Sequence, residues 1–463
     1  MSNLQKLPAM RNKYKIILLL VTLSFLPISC LVGPKYKAPE LQEANQYRLS
    51  QTADTTASII NVKWFDIFND EVLKGLITKG IQNNYDLKIA ISRLDQAKAN
   101  LGFTKANVLP TFQYSGGVNT AETIFQPSTM VANMSWEIDF WGKLRHENRA
   151  VQNELLATEE ARKTVMAGLV SDIATAYFQL RDLDNQLEIT KQTLKTRQDS
   201  YVIITDRFKS GYTSELDKVQ IEQQVAIAEA AIPNIKRQIT VLENTISILI
   251  GQIPAPIERG KPNKEQLMVT NLPLSIPSSL LQNRPDVKRA ELQYIAAHER
   301  IGVAQAMRFP SFNIAAFAGF ASAKVGDLFD SGSYNQNASA GVVGPIFQFG
   351  KNRRRVEINR QIAEQSKLNY QKTYLVAIGE VENAIQNVAT FKEEFEARSR
   401  QVAAAKKNYE LSYARYYNGY VSYLEVLDVQ RSLFDAEISL SQLSQRQLTA
   451  MVQLYKALGG GWN

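Results

Sequence analysis

The chain has 463 residues, 21% of them charged and 45% hydrophobic, the balance of a folded protein rather than a disordered one. Its formal charge is +8, and half of that excess sits in Lys6, Arg11, Lys13 and Lys15, with no acid among residues 1–29. The other basic residues are interspersed with Glu and Asp, so there is no concentrated basic face of the kind nucleic-acid binding requires.

Arg11, Lys13 and Lys15 lead into an apolar run from Ile16 to Ile28. That is the length of a signal-peptide core, and it falls short of the roughly 20 apolar residues of a spanning helix. The run ends in Leu26-Pro27-Ile28-Ser29-Cys30, so residues 1–29 are expected to be a signal peptide. A lone cysteine forms no intramolecular disulfide. Placed directly after the apolar core, Cys30 reads as a lipidation site, with a buried free thiol as the alternative. The segment resembles a bacterial lipobox, with Pro27 where Leu is usual. Leu31 follows the cysteine, not the Asp that signals retention at the inner membrane. No later apolar run reaches spanning length, so any membrane crossing falls to strands.

The rest of the chain is a duplication. At an offset of 200, Asp86, Lys88, Ala90, Ala97, Gly102, Ala106, Pro110 and Phe112 match Asp286, Lys288, Ala290, Ala297, Gly302, Ala306, Pro310 and Phe312. The offset then becomes 208, where Gly142-Lys143 matches Gly350-Lys351 and Arg207, Gly211, Tyr212, Ser214 and Leu216 match Arg415, Gly419, Tyr420, Ser422 and Leu424. The gain between Pro310 and Gly350 points to a loop in each half. The expected segments are an anchored N-terminal stretch at 30–62, a first repeat at 63–259, a linker at 260–277 and a second repeat at 278–463.

Each repeat reads as helix, strand, loop, strand, very long helix, tight turn and return helix. Met166, Ile173, Leu180, Leu187, Leu194, Tyr201 and Phe208 recur every seven residues, as do Tyr374, Val381, Val388, Phe395, Val402, Tyr409 and Tyr416. A strict heptad predicts under-wound helices in a left-handed coiled coil. Pro233 is expected to interrupt the first return helix. In the strands, Asn133, Ser135, Glu137 and Asp139 alternate with Met134, Trp136, Ile138 and Phe140, a polar face opposite a lipid-suited one. The fourth strand is expected near Ala338 to Phe349. A soluble sandwich shows similar alternation. If the strands do form a barrel, four are too few to enclose a passage, and three chains would pool twelve.

Several motifs now carry a family resemblance. Cys30-Leu31-Val32-Gly33-Pro34-Lys35-Tyr36, Trp64-Phe65-Asp66-Ile67-Phe68-Asn69-Asp70, Asn84-Tyr85-Asp86-Leu87, Arg284-Pro285-Asp286-Val287 and Phe309-Pro310-Ser311 occur in that order, with tip motifs at 211–217 and 419–428. Together they resemble the TolC-like outer membrane efflux family, in its lipoprotein branch. The resemblance implies a mainly helical fold of duplicated hairpins, with four strands per chain pooled into a twelve-strand trimeric barrel in the outer membrane. It implies a helical tunnel through the periplasm, docked on a membrane-fusion adaptor linked to an inner-membrane pump of the resistance–nodulation–division type. It implies no cofactor and no nucleic acid.

In that frame Gly211 and Gly419 permit the tip turns. Asp217, Glu425 and Asp428 would form acidic rings at a periplasmic gate, Glu425 and Asp428 matching the positions of the family's paired gate aspartates, with Glu replacing one. Val421 stands where some members place a latch arginine. Tyr212, Ser214, Leu216, Tyr420, Ser422 and Leu424, together with the two tip glycines, would meet the adaptor. Trp136, Trp141, Phe347 and Phe349 would form an aromatic girdle, with the neighbouring basic residues at inner-leaflet phosphates.

Two rivals remain. An enzyme finds little support: His146 and His298 are the only histidines and neither sits in a ligand-spaced cluster. Gly344 to Lys351 superficially resembles a phosphate loop, but it has Asn352 where Ser or Thr is needed and recurs as Trp141-Gly142-Lys143. A periplasmic membrane-fusion adaptor lipoprotein is the other alternative, although an adaptor carries one hairpin, not two equivalent ones.

Overall fold

A computed structural model describes residues 31–41, 70–119, 127–266 and 284–460. Cys30, the signal-type segment and most of the 64–70 motif lie outside the described residues. Helices α1 (Glu71–Asn83) and α2 (Tyr85–Ala106) precede strands β1 (Thr111–Gly117) and β2 (Ser128–Ile138), followed by α3 (Lys143–Lys209) and α4 (Glu215–Leu249). The order returns as α5 (Pro285–Ala306), β3 (Ser311–Ser322), β4 (Tyr334–Val343), α6 (Lys351–Tyr417) and α7 (Tyr423–Ala457).

The chain divides into two compact units. One comprises Met1–Glu40, Leu94–Thr158 and Arg289–Tyr370; the other comprises Leu41–Arg93, Glu159–Lys288 and Gln371–Asn463. Each unit draws on both repeats.

The second unit holds most of each hairpin, from residue 159 of α3 and residue 371 of α6 onward. α3 and α6 are 67 residues each, about 100 Å at 1.5 Å per residue. Their heptad stripes are buried or half-buried throughout, with Ile173, Leu180, Tyr374 and Val381 at 1% exposure or less. α4 continues through Pro233, so the expected interruption does not occur. The proline forfeits one backbone bond, but Ala228 and Ile235 are buried on either side of it and packing holds the helix. No helix among the described residues is long and apolar enough to cross a membrane.

The same unit explains several repeat motifs. Asp70 caps α1, accepting from the Val72 and Leu73 amides. It also accepts from the Tyr177 hydroxyl at 2.9 Å, the Lys261 amide at 2.9 Å and Gln266 Nε2 at 2.8 Å. This buried carboxylate thus ties α1 to α3 and to the segment after α4. Asn84 donates to the Leu249 carbonyl at the end of α4. Its counterpart Arg284 donates to the Ala457 carbonyl at the end of α7 and pairs with Asp286 and Glu380. Leu249 and Ala457 are themselves 208 apart, so both motifs fasten a helix start to the end of a return helix. Burial opposes the charge on Asp286, but its bonds to Arg284 outweigh that and hold its carboxyl below the usual aspartate range.

The first unit holds one antiparallel sheet in the order β1-β2-β3-β4. Residues opposite one another share a face, so the register sorts the side chains. Phe112, Met134, Ala316 and Ala338 lie in one row, as do Trp136, Ile314 and Ala340. On the other face, Thr111, Ser135, Ala315 and Ser339 form a row, and Gln113, Asn133, Phe317 and Asn337 another. One face is mainly apolar and the other mainly polar, the larger exceptions being Val131, Phe317 and Val343 on the polar face and Gln336 on the apolar one. β4 ends at Val343, short of the expected Phe349, because Pro345 has no amide to give a ladder. Phe347 and Phe349 therefore lie in the strand-to-helix joint. The residues gained in the second half do not all go to a loop. β3 has 12 residues against 7 in β1, while the longer joint, 344–350 against 139–142, comes from the early end of β4.

Candidate functional site

Two places combine exposed chemistry with repeat symmetry: the hairpin tips and the joints between strand and long helix. At the first tip α3 ends at Lys209, Gly211 takes φ +75°, and the Tyr212 amide returns to the Arg207 carbonyl at 2.8 Å. At the second, α6 ends at Tyr417, Gly419 takes φ +81°, and the Tyr420 amide returns to the Arg415 carbonyl at 2.9 Å. Both are glycine-terminated helix ends, and a side chain at either glycine would be strained by the backbone alone. Tyr212, Leu216, Tyr420 and Leu424 stand exposed around them.

The acids differ between the tips. Asp217 closes a capping box with Ser214, accepting from the Ser214 amide at 3.3 Å and hydroxyl at 2.9 Å, and from Thr213 Oγ1 at 2.5 Å. Glu425, its repeat mate, turns across to α6, accepting from Ser412 Oγ at 3.3 Å and lying 3.6 Å from Arg415. Ser422 makes no side-chain cap. Asp428, one turn from Glu425 on α7, pairs with Arg431 at 3.1 Å. Glu425 and Asp428 thus share a helix face and each has an arginine, while Asp217 is engaged in its own turn.

Arginine 207 went unassigned in the sequence, although its match to Arg415 was visible there. It donates to the Tyr417 carbonyl at 3.1 Å and lies over the rings of Tyr416 and Tyr417, fastening the end of α3 to the end of α6. Beneath the tips, Ile204, Ile221, Tyr416, Tyr423, Val426 and Leu427 form a buried cluster against which Val421 packs. Burial pushes the Tyr423 hydroxyl well above its ordinary pKa and pulls the Arg197 guanidinium below its own.

At the joints, Trp136 lies in the apolar row and donates to the Val108 carbonyl. Trp141 donates to the Pro310 carbonyl at 2.7 Å and stacks on Phe309 at 4.5 Å. Phe140 touches Trp141 and Phe312. Phe347 and Phe349 contact each other and are exposed. A second aromatic group, Phe320, Phe329 and Tyr334, sits at the far end of β3 and β4. Phe312 and Phe320 are eight strand positions apart, about 26 Å. At a strand tilt of about 40° that length spans about 20 Å of height, close to the apolar band of an outer-membrane barrel, about 25 Å tall. The far group was missed because only the paired register shows which aromatics end the strands.

A four-strand sheet with one mainly apolar face, in a chain with two heptad hairpins, fits the subunit of a channel protein. The match to known proteins agrees: the model of the family described as "Outer membrane efflux protein" covers residues 76–252 and 276–460, and the chain belongs to that family. It is 30% identical to "Cation efflux system protein CusC" of Escherichia coli O6:H1 (strain CFT073), over 94% of this chain and 96% of the relative. It is 31% identical to "Antibiotic efflux pump outer membrane protein ArpC" of Pseudomonas putida, over 97% and 96% of the two chains. A solved structure of CusC superposes with TM-score 0.84 at 29% identity, covering 93% of this chain and 100% of the other. The open-state MtrE outer membrane channel of Neisseria gonorrhoeae gives 0.84 at 25%, covering 94% and 99%.

The protein is thus an outer-membrane efflux channel subunit, mainly helical, with a four-strand sheet in each chain. Its family is one of transport channels, not enzymes, and the adaptor alternative falls with that membership.

Proposed function

We propose that three copies form a duct gated at its periplasmic tips and held to the outer membrane by a lipid on Cys30, receiving cargo through a periplasmic adaptor from an inner-membrane pump of the resistance–nodulation–division type. The observation that carries this reading is the sheet: one face mainly polar, one mainly apolar, with no partner for the outer edges of β1 and β4 among the described residues of one chain. In a twelve-strand closure the polar rows line the lumen and the apolar rows meet lipid. The chain reads as two tandem repeats, 63–259 and 278–463, behind a signal peptide at 1–29 and an anchored segment at 30–62, with a linker at 260–277.

At the tips, Glu425 and Asp428 from three chains form the acidic gate, with Asp217 supporting the other turn of each chain. Gly211, Tyr212, Ser214, Leu216, Gly419, Tyr420, Ser422 and Leu424 present the tips to the adaptor. Trp136, Trp141, Phe347 and Phe349 mark the periplasmic edge of the membrane. The relatives named above carry different cargo words, cation and antibiotic, on the same fold, so cargo choice is assigned to the pump.

Replacing Cys30 with Ser, exporting the chain on another cleavable signal, and weighing the detergent-extracted particle by light scattering tests the assembly. A detergent-dependent particle of three chains supports it. A soluble monomer overturns it.

A further inference from the structure

The two strand-to-helix joints carry opposite charge. Residues 137–147 hold three acids against two bases, whereas the equivalent residues 345–355 hold four bases and no acid. At the first joint the bases are neutralised locally. Lys143 is paired with Glu137, and Arg145 with Asp139 at 3.1 Å. Asp139 also accepts from the Leu144 and Arg145 amides, capping α3. At an offset of 208, Glu137 becomes Pro345, Asp139 becomes Phe347 and Glu147 becomes Arg355. Lys351, Arg353 and Arg354 are exposed, and among the described residues no carboxylate pairs with them. They also sit in the first turn of α6, where the helix dipole opposes positive charge. Each of these terms calls for an anion from outside the chain.

We infer that this second joint is an anionic-phospholipid site, taking the headgroup phosphates of the membrane leaflet at the periplasmic end of the barrel. Beside the three bases, Ile346, Phe347 and Phe349 are 102%, 73% and 90% exposed. They stand exposed in the joint beside the basic turn, the pairing of apolar contact with cationic side chains that suits a headgroup boundary. An open cleft of about 390 Å³ runs between the joints, with Lys351, Asn352 and Arg355 on one wall and Trp141 and Phe309 on another. The strand that would close the barrel against β4 is β1, and its residues Thr111–Gly117 bring no acid to that edge.

The inference rests on the membrane reading above, and its test separates the two. The full chain is placed in phosphatidylcholine nanodiscs with a minor share of phosphatidylglycerol, then moved to detergent, and the lipids retained per particle are counted by native mass spectrometry. The wild type retains phosphatidylglycerol in preference to phosphatidylcholine. The K351Q/R353Q/R354Q variant loses that preference, roughly fivefold for each residue removed, while R353K/R354K keeps it. The three changed side chains hold no ion pair, so assembly, checked by heat-modifiable gel mobility, is retained. Unchanged phosphatidylglycerol retention in the triple variant overturns the proposal. Equal displacement of the lipid by inorganic phosphate overturns it too, since a free anion would then suffice. A chain that never enters nanodiscs removes the membrane reading itself, and this proposal with it.

Discussion

At the tip between α3 and α4, Asp217 is engaged by its own turn, with Thr213 and Ser214 both donating to it. At the tip between α6 and α7, Glu425 leaves its turn and reaches Ser412 and Arg415 on the facing helix. Two substitutions separate them: Thr213 becomes Val421, which removes a hydroxyl, and Asp217 becomes Glu425, which adds a methylene. The first tip is a closed hydrogen-bonded cap, and the second is a turn without a side-chain cap, whose acid is paired with an exposed arginine of the facing helix. After duplication, the acid of one hairpin serves its own turn and that of the other reaches across to its partner helix.

The largest expected effect tests the link between the hairpins. Arg207→Ala removes a charged bond to the Tyr417 carbonyl and a stack on two tyrosines, costing the tip about 2 kcal/mol. It is expected to raise the conductance of the channel in planar bilayers. Arg415→Ala breaks only a half-exposed pair within one hairpin, worth about 1 kcal/mol or less. Equal effects of the two substitutions would erase the distinction drawn between the repeat mates.

Next in size is the cap. Ser214→Ala is expected to cost about 1 kcal/mol, seen as faster amide exchange across the first turn of α4. Ser422→Ala, at a position with no side-chain cap bond, is expected to leave exchange at α7 unchanged. Fast exchange in both would mean that Ser422 caps its helix in solution.

Smaller still in stability is E425Q/D428N, because both acids sit in exposed or half-exposed pairs. Its readout is functional: the cation preference of the conductance falls, while D217N alters tip exchange and leaves ion preference alone. A D217N channel that matched E425Q/D428N in ion preference would place all three acids in one ring.

Much of this was legible in the residues. The seven-residue stripe foretold two very long helices, which run 67 residues each, because burial at every seventh position has few other solutions. Strand alternation foretold a two-faced sheet, and Gly211 and Gly419 marked the turns. Three features were not legible. Pro233 looked like a break, but a helix packed on both sides of one lost bond keeps its path. β4 was expected too late, because the apolar residues Ile346, Phe347 and Phe349 continue past the proline that ends it. The pairing of Glu425 with Arg415 and of Arg207 with the Tyr417 carbonyl depends on how neighbouring helices rotate about one another, which a single strand of sequence does not encode.

The smallest expected effect bears on what made the tips diverge. Val421→Thr alone restores the hydroxyl that Thr213 uses. With Glu425 still turned towards Arg415, it is expected to shift stability by no more than a few tenths of a kcal/mol. Adding Glu425→Asp shortens the acid, so that it no longer spans to α6 and falls back over its own turn. The double variant gains a capping box of about 1 kcal/mol and loses a pair of similar or smaller worth, so global stability stays within about 0.5 kcal/mol of the parent. The two terms separate in local measurements, where amide protection at residues 421–425 rises towards that of residues 213–217. Arg415, left without its acid, turns the second tip more basic, and the cation preference of the conductance falls as it does in E425Q/D428N. If protection fails to rise, acid length is not what opened the second tip. The cause would then lie in the tyrosine cluster beneath Val421, whose packing would hold the turn out of capping geometry whatever acid follows it.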